Sequence, residues 1–246
     1  PVLLMHPLAL SSELWRPLAE GESGLRFIGL DAPGHGNTPW DGQPFTVEDM
    51  ADDAVAVMDA LDLPSAALVG LSMGGTTAAV LAGTRPERIT SLALVDTTAC
   101  YGDDRVTEWE SRAVRASTVQ RSEQLEFQID RWFSPTTVGR DPASVDRVCR
   151  IFAATDSEAH AAACRALGGA DATGLLPAIT APTLVLVGSD DYATPESMAR
   201  ELHAGIAGSR LEVLEGSRHL SVLDDASSWQ LVTEHIRTTT GTAVRR

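Results

Sequence analysis

The sequence predicts an α/β fold: a doubly wound, mostly parallel sheet interrupted by an inserted helical lid. Two observations predict it. Short apolar runs alternate with helix-like segments along most of the chain, and in one long stretch the strands stop and only helical text remains. The apolar runs lie at residues 2–5, 26–30, 66–69, 92–95, 183–187 and 210–214. They are rich in Val, Leu and Ile and bounded by Gly, Pro, Asp or Ser. Strands that are apolar throughout, rather than alternating, belong in a parallel sheet covered by helices on both faces.

One intervening helix is clearly written. Thr46 can cap it, with Asp49 three residues on, and Val47, Met50, Ala51, Ala54, Val55, Met58 and Leu61 then recur at helical spacing. Leu63-Pro64 ends it before the next strand. This alternation implies right-handed crossovers. Between residues 97 and 180 the text becomes helical, at 105–119, 122–133, 142–154 and 157–167, punctuated by Ser134-Pro135, Asp141-Pro142 and Gly168-Gly169. The expected division is therefore a core of residues 1–96 and 181–246 with a lid of residues 97–180. The polar tail, residues 238–246, is expected to fray. Pro1 is followed at once by a strand, an abrupt start that leads us to expect a short piece upstream.

Charge excludes some function classes. The 246 residues carry 19 basic side chains, all Arg, against 34 acidic ones, a formal net charge of -15. A field of that sign repels nucleic acid and anionic membranes, so neither is expected as a partner. Residues 97–180 hold nine Arg and twelve acidic residues, net -3, which leaves -12 for the core. No apolar run approaches the roughly 20 residues that cross a bilayer. No basic-then-apolar signal segment heads the sequence. Cys100, Cys149 and Cys164 are few, odd in number and without metal-ligand spacing, which reads as free thiols in a reducing cytoplasm. Neither a metal nor an organic cofactor is expected, and the sequence leaves the oligomeric state open.

The chemistry centres on Gly70-Leu71-Ser72-Met73-Gly74, a Gly-x-Ser-x-Gly segment between the strand at 66–69 and a helix-like stretch at 76–82. A Ser at the apex of a tight strand-to-helix turn sits in strained backbone, and the flanking glycines remove side chains that would collide. The turn also aims a helix N-terminus at the reaction centre. Ser72 is the expected nucleophile, and a hydroxyl needs a base and an orienting acid to act as one. His219 follows the last strand, where the third member of a Ser…Asp…His order belongs. His160, His203 and His235 fall in helical stretches and read as solvated; His35 reads as a loop-packing residue. The acid should follow the strand at 183–187. Asp191 fits the Gly-x-x-Asp register with Pro195 opening the next helix; Asp190 and Asp96 are the alternatives. Two backbone N–H groups should meet the developing oxyanion. One is that of Met73, and the other that of Leu8, since Pro7 cannot donate.

With those residues in hand, the sequence resembles the α/β-hydrolase superfamily along its length, and more narrowly is similar to the 3-oxoadipate enol-lactonases. The matching stretches are Gly70-Leu71-Ser72-Met73-Gly74-Gly75, Arg131-Trp132-Phe133-Ser134-Pro135, Ala161-Ala162-Ala163-Cys164-Arg165-Ala166, Asp191-Tyr192-Ala193-Thr194-Pro195 and Ser217-Arg218-His219-Leu220-Ser221. The resemblance implies hydrolysis of a small ester or lactone through an acyl-enzyme, the enol-lactone of aromatic (beta-ketoadipate) catabolism first among substrates. It also implies that Trp132 lines the substrate pocket. The sequence departs from that pattern at Pro33, before Gly34-His35-Gly36, and at His6-Pro7 in the oxyanion loop. The rival readings are a carboxylesterase, another lactonase or a carbon–carbon bond hydrolase and, from a different class, a catalytically silent binding module.

Overall fold

A computed structural model describes residues 1–243. Six strands, β1 (Val2–Met5), β2 (Phe27–Leu30), β3 (Ala66–Leu71), β4 (Ile89–Val95), β5 (Thr183–Gly188) and β6 (Arg210–Leu214), form one sheet in the order β2-β1-β3-β4-β5-β6. Every neighbouring pair is parallel. Helix α1 (Arg16–Glu20) lies between β1 and β2, α2 (Val47–Ala60) joins β2 to β3, and α3 (Met73–Thr84) joins β3 to β4. Helices α4 (Arg105–Thr118), α5 (Arg121–Trp132), α6 (Pro135–Arg140), α7 (Pro142–Ala154) and α8 (Ser157–Gly169) all lie between β4 and β5. Helix α9 (Glu196–Gly205) joins β5 to β6, and α10 (Ser221–Asp224) and α11 (Ala226–Ala243) follow.

The four inner strands are buried on both sides, the edge strands β2 and β6 only in part, and their side chains sort by parity into two cores. Leu3, Met5, Leu68, Leu92, Leu94, Val185 and Val187 pack with residues of α2, α3 and α9. Val2, Leu4, Val69, Leu71, Val95, Leu184 and Leu186 pack with Trp229, Val232 and Ile236 of α11, and with Val145, Val148 and Phe152 of α7. Chain direction across the sheet reverses between β1 and β3, the switch point at which open α/β sheets place ligands beyond their strand ends.

Local signals explain most boundaries. At the start of α2, Asp49 N–H donates to Thr46 Oγ1 at 3.1 Å and Thr46 N–H to Asp49 Oδ2 at 2.8 Å, a reciprocal capping box. Helix α3 begins at Met73, three residues earlier than its apolar text suggests, because Gly74 and Gly75 dilute the helical signal. Ser134-Pro135, read in the sequence as a break, instead opens α6: Ser134 Oγ accepts from Thr137 N–H at 3.3 Å and Pro135 takes the first turn. The tail expected to fray is helical through Ala243, and the rest of it lies outside the described residues. Among the described residues, no helix is long and apolar enough to cross a membrane.

Candidate active site

Ser72 lies between the end of β3 and the start of α3 with φ 54° and ψ -118°, a left-handed conformation that costs a side-chain-bearing residue about 1–3 kcal/mol. Its surroundings hold it there. Ser72 N–H donates to Val95 O at 2.9 Å, and Ser72 O accepts from Thr97 Oγ1 at 2.6 Å and Gly75 N–H at 2.8 Å. The glycines have steric causes. A Cβ on Gly70 would stand 2.3 Å from Gly74 O, and one on Gly74 would stand 2.3 Å from Met5 O.

His219 reaches this serine from the loop after β6. Its Nε2 lies 2.9 Å from Ser72 Oγ and its Nδ1 lies 2.8 Å from Asp191 Oδ2. A carboxylate only accepts, so Nδ1 carries the proton and Nε2 presents its lone pair to the serine hydroxyl. Asp191 is held in turn by Ala193 N–H at 2.7 Å, Thr194 N–H at 3.1 Å and Thr194 Oγ1 at 2.7 Å. Burial opposes its ionisation. The adjoining His219, and hydrogen bonds from His219 and Thr194, outweigh that penalty and hold the carboxyl below the usual carboxylate range. All three residues are buried. Asp190, by contrast, is exposed, and its carboxylate accepts only from its neighbour Ser189 Oγ among the described residues. Asp96 bonds backbone rather than His219.

The expected oxyanion donors flank the same serine. Met73 N–H opens α3, Leu8 lies beside Ser72 in the cavity wall, and neither N–H has a hydrogen-bond partner among the described residues. The Leu8 loop is fixed by His6. Its Nε2 accepts from Ala32 N–H at 3.0 Å, leaving Nδ1–H to donate to Pro7 O at 2.8 Å. Burial, against the Pro7 bond and the Asp31 charge, lowers this imidazole below its ordinary value. His35 stacks near it at 5.2 Å between ring centroids and is fully buried, as a loop-packing residue should be.

Ser72 and His219 open onto a cavity of about 400 Å³ roofed by the helices between β4 and β5. Trp132 lines it and meets the Phe152 ring edge-on at 5.4 Å. Residues to which the sequence gave no role in the site join it there: Tyr101 before α4, Arg112 and Arg115 of α4, Arg131 of α5 and His160 of α8. None of the three arginines hydrogen-bonds a carboxylate among the described residues. Burial, then the nearby Arg112 charge, lowers the Arg131 guanidinium from its ordinary value. Burial likewise raises the Tyr101 phenol to about 12, so it stays protonated. His160 and His235, read as solvated, are buried instead. Helix α8 is so rich in small buried residues that its sequence carries little periodicity to reveal which way His160 faces. The described residues hold no cluster of His, Cys, Asp and Glu that could bind a metal.

Known proteins place this architecture in context. A family model described as the alpha/beta hydrolase fold matches residues 1–226. The 3-oxoadipate enol-lactonase 2 of Acinetobacter baylyi is 28% identical over 236 residues, covering 96% of this chain and 87% of that protein. A pimeloyl-(acyl-carrier protein) methyl ester esterase of Neisseria meningitidis is 32% identical, covering 81% of this chain and 78% of that one. Among solved structures, an enol-lactonase from Burkholderia xenovorans LB400 superimposes with a TM-score of 0.89 at 32% identity, covering 96% of this chain and 90% of that chain. A thermophilic esterase from Thermogutta terrifontis, malate bound, gives 0.90 at 28% identity, covering 98% and 90%. With a parallel sheet, a Ser at its nucleophile-type turn and a family match over nearly its whole length, the chain belongs to the α/β hydrolase fold family.

Proposed function

We propose that this protein hydrolyses a small, anionic carboxylic ester or lactone through an acyl-enzyme on Ser72, with 3-oxoadipate enol-lactone as the substrate that fits best. One observation carries the reading: the hydrogen-bonded series Ser72–His219–Asp191 faces a cavity whose helical roof supplies Arg112, Arg115 and Arg131 without carboxylate partners. Arg112 and Arg115 keep contact with solvent, but Arg131 is half-buried, and holding its guanidinium there without a carboxylate is costly unless a bound anion completes it. In a chain of net charge -15, such a patch is selective for the charge of the substrate rather than a reflection of the surface.

The chemistry follows from the proton positions. Ser72 Oγ attacks the carbonyl carbon while its proton passes to His219 Nε2, and Asp191 steadies the imidazolium through Nδ1–H. The oxyanion forms against Met73 N–H and Leu8 N–H, each donor worth about 3 kcal/mol of barrier. The carbon–oxygen bond of the ester then breaks, and the leaving oxygen takes the proton from Nε2. In the enol-lactone that oxygen departs as an enol, which ketonises and makes ring opening effectively irreversible. Water next attacks the acyl-enzyme, giving one proton to Nε2. That proton returns to Ser72 Oγ as the acid is released. The helices between β4 and β5 act as the lid over this chemistry.

The test is turnover of the enol-lactone against neutral aryl esters by the wild-type chain and by Ser72→Ala, together with fluorophosphonate labelling. The enol-lactone should lead in kcat/KM by at least about tenfold, the worth of one charge-assisted contact. Ser72→Ala should lose nearly all turnover and all labelling. Faster hydrolysis of the neutral esters would move the assignment to a carboxylesterase. An unreactive Ser72 in the wild-type chain would refute the acyl-enzyme.

A further inference from the structure

The cavity holds a second polar group, set apart in kind from the arginines. His160 is 5% exposed, yet it lines the cavity from α8. Its Nδ1 lies 2.7 Å from Arg121 Nη1. A guanidinium can only donate, so Nδ1 must be the unprotonated nitrogen and the ring proton must sit on Nε2. Arg121 is itself fixed. Its Nη2 donates to Thr155 O at 2.8 Å and Asp156 O at 3.2 Å, and its guanidinium covers the Phe152 ring at 4.4 Å. The Phe152 edge also meets the His160 ring at 6.0 Å and 78°. The imidazole therefore has one orientation and one tautomer. Burial, then the charges of Arg121 and His35, lowers it to about 3, so it stays neutral at working pH.

What remains is Nε2–H, which has no protein acceptor among the described residues. The other buried histidines of this region differ. His6 uses both ring nitrogens on backbone, and His35 does not line the cavity. The donor opens onto the cavity rather than into packed protein, so a bound molecule that displaces solvent there must supply an acceptor or leave it unmet, at about 1–3 kcal/mol.

We propose that His160 is a specificity-determining residue whose Nε2–H, fixed by Arg121, hydrogen-bonds an uncharged oxygen, ketone or ring oxygen, in the acyl portion of the substrate. This rests on the acyl-transfer reading above and deepens it. The arginines select for a carboxylate, and His160 selects for a second, neutral acceptor, so the substrate class is an oxygenated acyl compound rather than a plain fatty ester. A neutral donor suits this task. It discriminates against a methylene in place of the oxygen without competing with the arginines for charge.

The test uses two aryl esters with one leaving group, 4-nitrophenyl levulinate and 4-nitrophenyl pentanoate, which differ by a ketone oxygen in the acyl chain. The wild-type chain should prefer the levulinyl ester. In His160→Leu the ratio of kcat/KM values should fall about tenfold, the size of one neutral hydrogen bond. In His160→Gln, which keeps both an acceptor for Arg121 and a donor for the cavity, the ratio should largely recover. Equal losses on both esters in His160→Leu, which leave the ratio unchanged, or a fallen ratio that His160→Gln does not restore, would overturn the proposal while leaving the hydrolase reading intact. A second readout does not need turnover. In the ¹⁵N-labelled wild-type chain, with His160 identified by its absence in His160→Gln, the ring should appear as the Nε2–H tautomer, and added levulinate should shift that resonance more than pentanoate does. An Nδ1–H tautomer, an imidazolium, or equal responses to the two acids would refute the assignment. If the wild-type chain turned over neither these esters nor the enol-lactone and Ser72 resisted fluorophosphonate labelling, the acyl-transfer reading would fail and the resonance would decide the role of His160 alone.

Discussion

Asp96 and Asp191 are two buried carboxyls that secure the histidine loop by different routes. Asp191 bonds the His219 ring directly, through Oδ2 to Nδ1 at 2.8 Å. Asp96, at the end of β4, accepts Gly188 N–H on Oδ1 at 3.1 Å and Ser221 N–H on Oδ2 at 2.9 Å, so it ties the start of the acid loop to the residue two beyond His219. Burial, then the Asp191 charge, pushes the Asp96 carboxyl well above the ordinary carboxylate range.

The two carboxyls should therefore separate on substitution. Asp191→Asn leaves the ring without its orienting acceptor, and kcat should fall by roughly 10³–10⁴ with little change in unfolding midpoint. Asp96→Asn turns an NH₂ toward one of two backbone donors. It should cost about 1–3 kcal/mol in urea unfolding while kcat falls by less than about tenfold. A loss of kcat equal to that of Asp191→Asn would place Asp96 in the proton path.

The arginines of the roof give a charge-specific expectation. Arg112→Gln and Arg131→Gln keep a polar side chain with an NH₂ donor, though a shorter one, and remove the charge. On the enol-lactone each should raise KM by about ten- to a hundredfold, the range of a charge-assisted hydrogen bond, with a smaller effect on a neutral aryl ester. Equal effects on both substrates would show that these side chains shape the cavity without reading charge.

The buried histidines predict acid sensitivity. His35 and His160 are each lowered from 6.5 to about 3, by burial first and then by neighbouring cations and imidazoles. Below pH 6.5 the unfolded chain takes up protons that the native state refuses. Their contribution is thus complete above that pH and is lost as pH falls toward 3. At pH 5 each costs about 2 kcal/mol relative to neutrality, about 4 kcal/mol together, with His6 and His235 acting in the same direction. Urea unfolding at pH 7, 6 and 5 measures this, and His160→Gln should remove about 2 kcal/mol of the loss at pH 5. A stability flat across that range would contradict neutral burial of these rings.

How legible each feature was in the sequence follows from how local its cause is. The turn at Ser72 was readable because its constraint lies within five residues: the clashes that forbid a Cβ at Gly70 and Gly74 write glycine into the text. The register at Asp191 was readable for the same reason, since the N–H groups that hold its carboxyl come from the next three residues. Asp190 is one step off and turns outward. The cavity wall was not readable. Arg112, Arg131 and His160 come from α4, α5 and α8 and meet only because α4 packs on α8 and α5 on α7 around one cavity. The Arg121–His160 bond spans 39 residues, and nothing local marks either partner.

Asp224 decides how firmly the roof is held to the catalytic loop. Its Oδ1 accepts from Ser134 N–H at 3.0 Å and Ser134 Oγ at 2.8 Å, and its Oδ2 accepts from Arg218 N–H at 2.8 Å. Its carbonyl accepts from Thr137 Oγ1 at 3.0 Å and Arg140 Nη2 at 2.9 Å. One residue thus joins the start of α6 to the segment that carries His219, next to the bond from Leu220 N–H to Trp132 O at 3.0 Å. Asp224→Ala leaves Ser134 N–H and Arg218 N–H unmet, at roughly 1–3 kcal/mol for each buried donor. The loosened loop should also lose precision at His219, so kcat should fall more than KM rises. Amide exchange at Leu220 should accelerate in the same variant, because its acceptor belongs to the end of α5 that Asp224 helps to hold. Asp224→Asn, which preserves one acceptor oxygen, should fall between. Full activity in Asp224→Ala with unchanged exchange at Leu220 would mean that the roof and the histidine loop are held independently.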